Sequence, residues 1–254
     1  MQKKLIAGNW KMNPKTLREA RANFLSIKKG AVKHKNVETV IAAPFVYLSE
    51  LSKLAGGGLS LGAQNVSSEK EGPFTGEVSA SMLASYKIKY CIVGHSERRA
   101  LGETNELINK KIKSLLAARI TPILCVGESA RDTDMWYLGE VKTQVSECLA
   151  GIAKNAISKI VIAYEPVWAI SSTANRRDAT PQDCEEMIIY IQKILADMYD
   201  GSARGMRILY GGSVDPKNCG GFLHEGKAAG LLPGKASLTS KKFAAILKTA
   251  NEKR

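Results

Sequence analysis

Three short segments of this 254-residue chain carry side chains suited to moving protons. In Ala163-Tyr164-Glu165-Pro166-Val167-Trp168 a carboxylate stands directly before a proline. Proline fixes its own φ and biases the preceding residue toward extended backbone, so Glu165 is held in place while the chain beyond it can move. That suits a positioned general base, although a glutamate taken alone is more often a solvated loop carboxylate. In Val93-Gly94-His95-Ser96-Glu97-Arg98-Arg99 a histidine precedes a helix start. A lone histidine is usually a hydrogen-bonded structural one; here the positive helix end disfavours imidazolium and leaves a neutral donor, a possible electrophile. Gly8-Asn9-Trp10-Lys11-Met12-Asn13 offers Lys11 to a substrate anion and Asn9 to a hydroxyl or carbonyl beside it.

Two glycine-bearing segments near the end of the chain suit a phosphate. Tyr210-Gly211-Gly212-Ser213-Val214 and Pro233-Gly234-Lys235-Ala236-Ser237-Leu238 each follow an apolar run. Backbone N–H groups approach an anion closely where glycine removes the side chain. One glycine pair is more often a turn than a binding site. Two such loops after the seventh and eighth runs match the place where barrels build phosphate sites.

The elements that must carry these residues are legible as alternation. Eight short β-branched and apolar runs begin near Leu5, Val40, Leu59, Cys91, Ile123, Ile160, Ile208 and Gly230, and helical character follows each. Continuous stretches such as Lys159-Ile160-Val161-Ile162-Ala163 suit strands buried on both faces. Helix starts are marked by Pro14 before Lys15 to Lys28, by Glu103-Thr104-Asn105-Glu106 before Leu107 to Ala118, and by Thr180-Pro181 before the run to Met198, with Gly30 and Gly201 as breakers. The pattern predicts α/β architecture, a (β/α)8 TIM barrel as a single domain over 1–254. An open doubly wound sheet alternates in the same way, but no GxGxxG turn follows the first strand. In a barrel the strands' carboxyl ends share one face, which gathers Asn9, Lys11, His95 and Glu165.

Composition narrows the function classes. No apolar run approaches the roughly 18 residues of a membrane span, and the stretch after Lys3 and Lys4 is too brief for a signal peptide, so a soluble cytoplasmic protein is expected. Five widely spaced cysteines, Cys91, Cys125, Cys148, Cys184 and Cys219, contain no CxxC pair and read as reduced, mostly buried thiols rather than a disulfide framework or zinc site. The formal charge of +13 suits anionic substrates or weak adhesion to polyanions. Aromatic residues, 6% of the chain, are not interleaved with the basic ones, which argues against a dedicated nucleic-acid partner.

These segments resemble the triosephosphate isomerase family from end to end, together with Gly62-Ala63-Gln64-Asn65-Val66, Phe74-Thr75-Gly76-Glu77, Cys125-Val126-Gly127-Glu128 and Ala169-Ile170. The resemblance implies a glycolytic and gluconeogenic isomerase of dihydroxyacetone phosphate and D-glyceraldehyde 3-phosphate, working through an enediolate without metal or organic cofactor. It implies Glu165 as base, His95 as neutral electrophile, and Lys11 with Asn9 as stabilisers of the developing charge; these roles are the family's own. It further implies that Glu97 pairs with Lys11, that Ile170 and Leu232 form an apolar clamp excluding water, and that the N–H groups of Ser171, Ser213, Gly234 and Lys235 hold the phosphate. A homodimer through the Gln64 to Glu77 loop is implied as well, with Thr75 near the tip reaching the neighbour's site. Two departures stand out. The segment Ser171 to Ala179 is longer and poorer in glycine than the family's lid, and Lys235 replaces a glycine; both residues keep a backbone donor. Two other readings are open: a Schiff-base aldolase, which wants a mid-barrel lysine where only Lys11 stands at a strand end, and a binding protein without catalysis, which would not need all five polar residues.

Overall fold

The computed structural model describes residues 2–132, 134–170 and 177–252. Eight parallel strands form a closed barrel in chain order: β1 Lys4–Asn9, β2 Val37–Ala43, β3 Leu59–Ala63, β4 Tyr90–Val93, β5 Thr121–Val126, β6 Val161–Tyr164, β7 Arg207–Tyr210 and β8 Gly230–Leu231. Closure comes from β1 pairing with both β2 and β8, Leu5 lying opposite Gly230. Between and after the strands run α1 Leu17–Ala31, α2 Phe45–Ser52, α3 Ala80–Ser85, α4 Ser96–Arg99, α5 Asn105–Ala117, α6 Trp136–Cys148, α7 Lys154–Ile157, α8 Pro181–Tyr199, α9 Cys219–His224 and α10 Ser240–Asn251. The (β/α)8 architecture expected from the alternation is the one observed. Among the described residues no helix is long and apolar enough to cross a membrane.

Strand periodicity sorts the apolar residues into two cores. Leu5, Ala7, Val40, Ala42, Tyr90, Ile92, Ile123, Cys125, Val161, Ala163, Leu209 and Leu232 fill the barrel interior, while alternate residues such as Ile6, Ile41, Val93 and Ile162 face the helices. Burial on both faces is why these strands read as unbroken apolar runs. The same parity aims the strand ends. Asn9 follows Leu5 and Ala7, and Glu165 follows Val161 and Ala163, so both belong to the inward set where the interior opens.

At the opposite end, Glu38 of β2, Tyr90 of β4 and Arg207 of β7 close the barrel floor. Tyr90 donates its hydroxyl to Glu38 Oε1 at 2.5 Å, and Arg207 reaches Glu38 Oε2 at 2.5 Å and the Tyr90 oxygen at 3.1 Å. All five cysteines are free and buried, as their spacing suggests.

Several helix starts follow side-chain caps. Thr180 and Asp183 form a reciprocal capping box at α8 with Pro181 in its first turn, and Thr104 caps α5. The first helix departs from expectation: it starts after Thr16, whose hydroxyl accepts the Glu19 N–H, and runs through Gly30 to Ala31. A threonine oxygen satisfying an orphan donor outweighs the punctuation offered by Pro14 and Gly30.

Candidate active site

Glu165, one residue beyond β6, is almost wholly buried at 3% exposure. Its backbone N–H donates to Val126 O at 2.8 Å, which ties it to the end of β5. Gly211 lets the end of β7 press against it, because a Cβ there would stand 2.8 Å from Glu165 Cγ. The carboxylate faces β4. Oε1 lies 3.3 Å from His95 Nε2, and Oε2 is 3.4 Å from the Ser96 N–H.

His95 caps the four-residue α4, and its Nδ1 accepts the Glu97 N–H at 3.2 Å. An imidazole that accepts at Nδ1 while neutral carries its proton on Nε2. Nε2, the protonated nitrogen of that tautomer, is the one that lies beside Glu165 Oε1. The helix start expected after His95 is present as α4, Ser96–Arg99.

Lys11 adopts φ 51°, a left-handed conformation that a lysine seldom takes. Its N–H donates to Asn9 Oδ1 at 2.9 Å, and its ammonium pairs with Glu97 Oε1 at 2.6 Å. Glu97 Oε2 stands 3.7 Å from His95 Nδ1. Lys11, Glu97, His95 and Glu165 thus form one polar line across the ends of β1, β4 and β6. Strain at Lys11 is held from outside: Gln64, just past β3, donates to Lys11 O at 2.9 Å, to Ala42 O at 3.0 Å and to Asn9 Oδ1 at 3.3 Å.

The described residues expected to hold a phosphate lie on the same rim. A Cβ on Gly234 would be 3.4 Å from Lys11 Cε, and Lys235 opens a short 3-10 turn, Lys235–Leu238. Ser237 fastens that turn to β1, donating its hydroxyl to Gly234 O at 2.7 Å and to Asn9 O at 3.3 Å. Ser213 is half-buried, its carbonyl accepting from Asn218 Nδ2 at 3.0 Å. Leu232 is buried among the interior residues, and Ile170 is buried where the turn Val167–Ala169 ends. Ser171 lies outside the described residues.

Arg131 and the bracing role of Gln64 escape a sequence reading, whereas the expected pairing of the Pro166-Val167-Trp168 segment with Glu128 is present. Gln64 figures there only as the start of a loop, yet it ties β1, β2 and β3 together beneath Lys11. Glu128, fully buried, accepts from Tyr164 Oη and Trp168 Nε1, both at 2.8 Å, and from Arg131 Nε at 3.2 Å. Arg131 continues to Asp183 and Glu186 of α8, and Arg177 lies over the Trp168 ring, 4.4 Å from its centroid. Most of these partners stand dozens of residues apart, which no local spacing reveals. The Cys125 thiol is pushed far above the ordinary thiol range, first by burial and then by the Glu165 carboxylate, so it stays protonated and is no nucleophile.

Charged and titratable groups gathered at the carboxyl ends of a closed parallel barrel put the chain among the (β/α)8-barrel enzymes. The family model described as triosephosphate isomerase matches residues 4–250. A relative from Endomicrobium trichonymphae named triosephosphate isomerase is 44% identical over 98% of this chain and 99% of its own length. Relatives of the same name from Caldanaerobacter subterraneus subsp. tengcongensis and Dictyoglomus thermophilum are also 44% identical, covering 97% and 98% of this chain and 99% and 100% of their own lengths. The chain belongs to the triosephosphate isomerase family.

Proposed function

We propose that Glu165 is the general base in the interconversion of dihydroxyacetone phosphate and D-glyceraldehyde 3-phosphate. The chain is an isomerase of triose phosphates, a glycolytic activity. In the direction of the aldehyde, Glu165 takes a proton from the hydroxymethyl carbon as His95 Nε2–H polarises the adjacent carbonyl oxygen. The electron pair of the broken C–H bond forms the enediolate, and Glu165 returns the proton to the neighbouring carbon while a proton moves between the two oxygens. Lys11 balances the negative charge, Asn9 orients the oxygens, and Glu97 aligns Lys11. The N–H groups of Ser213, Gly234 and Lys235 hold the phosphate, with Ser171 as a further donor, and Ile170 and Leu232 keep water from the carboxylate.

The observation that carries this reading is the 3.3 Å approach of the Glu165 carboxylate to a histidine whose other nitrogen already accepts a backbone N–H. Base and electrophile then face one small volume from neighbouring parts of the rim, as proton transfer between adjacent carbons requires. Base, electrophile and cation are all side chains of this chain, so we read the reaction as needing no metal or organic cofactor. Purified protein should isomerise glyceraldehyde 3-phosphate equally well with and without a chelator, and in D2O the product should carry deuterium at the exchanged carbon. Loss of activity on chelation, or a product with no solvent deuterium, would overturn the reading.

We also read the chain as one domain over 1–254, a cytoplasmic protein and a homodimer. The dimer reading rests on the Gln64 to Glu77 loop, pinched at its base where Ser67 N–H meets Val78 O at 2.8 Å and exposed from Glu69 to Glu77. Large apolar side chains are uncovered on this chain alone, Phe74 at 44%, Met82 at 54% and Val46 at 80% exposure.

A further inference from the structure

Away from the barrel mouth, α1 and α10 lie side by side and leave a shallow, open groove of about 570 Å³ between them. Its floor is small: Gly30, Ala244 and Ala245, with Ala244 Cβ only 3.7 Å from where a Cβ on Gly30 would stand. Its walls are basic. Lys29, Lys33 and His34 come from the end of α1 and the turn after it, and Lys241 and Lys248 come from α10. Among the described residues no carboxylate lines the groove.

Some lysines elsewhere on the surface are neutralised in place. Lys53, Lys110, Lys154 and Lys227 pair with carboxylates at 2.5–2.9 Å. Among the described residues the four lysines of the groove have no such partner. Their field is felt locally, since burial, then Lys33 and Lys248, hold His34 below the ordinary histidine range. Uncompensated like charges held around a concave floor repel one another, and a multivalent anion seated among them removes that repulsion.

We propose that the groove between α1 and α10 binds a linear polyphosphate chain. Lysines are compact point charges suited to phosphate oxygens without fixed geometry, and small floor residues leave room for a chain to lie along the helices. Among the described residues no aromatic side chain lines the groove, so they offer no platform for stacked bases. It has no large apolar pocket in which an acidic peptide would anchor. Repeated phosphates without bases are what its chemistry recognises. The groove lies on the outer helical wall, toward the end of α1 that leads into β2, whereas the isomerase groups stand at the strands' carboxyl ends.

Fluorescently labelled inorganic polyphosphate, titrated against the whole protein at low salt, tests this. Two double variants are compared: Lys33→Glu with Lys248→Glu in the groove, and Lys142→Glu with Lys193→Glu on exposed positions of α6 and α8. Both change net charge equally. Isomerase activity, which uses neither pair, reports that each variant is folded; should the groove variant lose it, Lys33→Gln with Lys248→Gln replaces it. The groove substitution should weaken polyphosphate binding by about tenfold or more and the remote one by roughly twofold or less, with binding falling steeply with added salt. Equal losses in the two variants would mean diffuse attraction to a basic surface and would overturn the proposal. So would oligothymidylate competing better than polyphosphate at equal phosphate concentration.

Discussion

Lys11 is where the site's electrostatics are concentrated. Its ammonium is held by one carboxylate, Glu97 at 2.6 Å, while its backbone is kept at positive φ by Asn9 and Gln64. In the proposed reaction this cation, beside Gly234, is the one that meets a dianionic substrate. Lys11→Met should therefore nearly abolish both substrate binding and turnover, measured as phosphoglycolate affinity and coupled isomerase rate. An active variant would assign the cationic role to another residue, with Lys235 the next candidate on the rim. The ring of His95 belongs to the same scale: its Nδ1 accepts the Glu97 backbone N–H, which leaves Nε2 on the Glu165 side.

Elements place these residues, and the barrel floor shows how strands are locked far from the chemistry. Burial pushes the Glu38 carboxyl up, but hydrogen bonds from Tyr90 and Arg207 outweigh it and leave Glu38 below the ordinary carboxylate range. Burial and the Glu38 bond push Tyr90 up to about 12, which keeps it a donor. A carboxylate with a depressed folded-state pKa stabilises the fold above its unfolded pKa and loses that contribution as pH falls through the folded value. Glu38→Gln should accordingly melt lower than the parent at pH 7, and the gap should narrow below roughly pH 4. A gap independent of pH would contradict the charge-based account. None of this is legible in the sequence, because Glu38, Tyr90 and Arg207 stand 52 and 117 residues apart. The strands themselves are legible, since burial on both faces writes an unbroken apolar run such as Val161–Tyr164. So are helix starts where a cap and its partner stand three residues apart, as Thr180 and Asp183 do. The start of α1 is not, because both Pro14 and Thr16 carry start signals and only the Thr16 contact decides between them.

At the scale of the molecule, motif residues were visible and their supports were not. Asn9, Lys11, His95 and Glu165 stand out as polar residues ending apolar runs, whereas Gln64 and Arg131 act through partners from other units. Assembly is the next level. Light scattering should give a mass twice that of the 27.5 kDa chain, and Phe74→Glu should shift it toward monomer while lowering activity in parallel. A fully active monomer would rule out shared sites. The base assignment is tested most directly by Glu165→Asp. Shortening the side chain by one methylene withdraws the carboxylate from the reacting carbon and leaves the phosphate contacts intact. Turnover should fall by about 10²-fold or more while KM stays within about threefold. Unchanged turnover, or equal losses in turnover and affinity, would show that Glu165 is not the group that takes the proton.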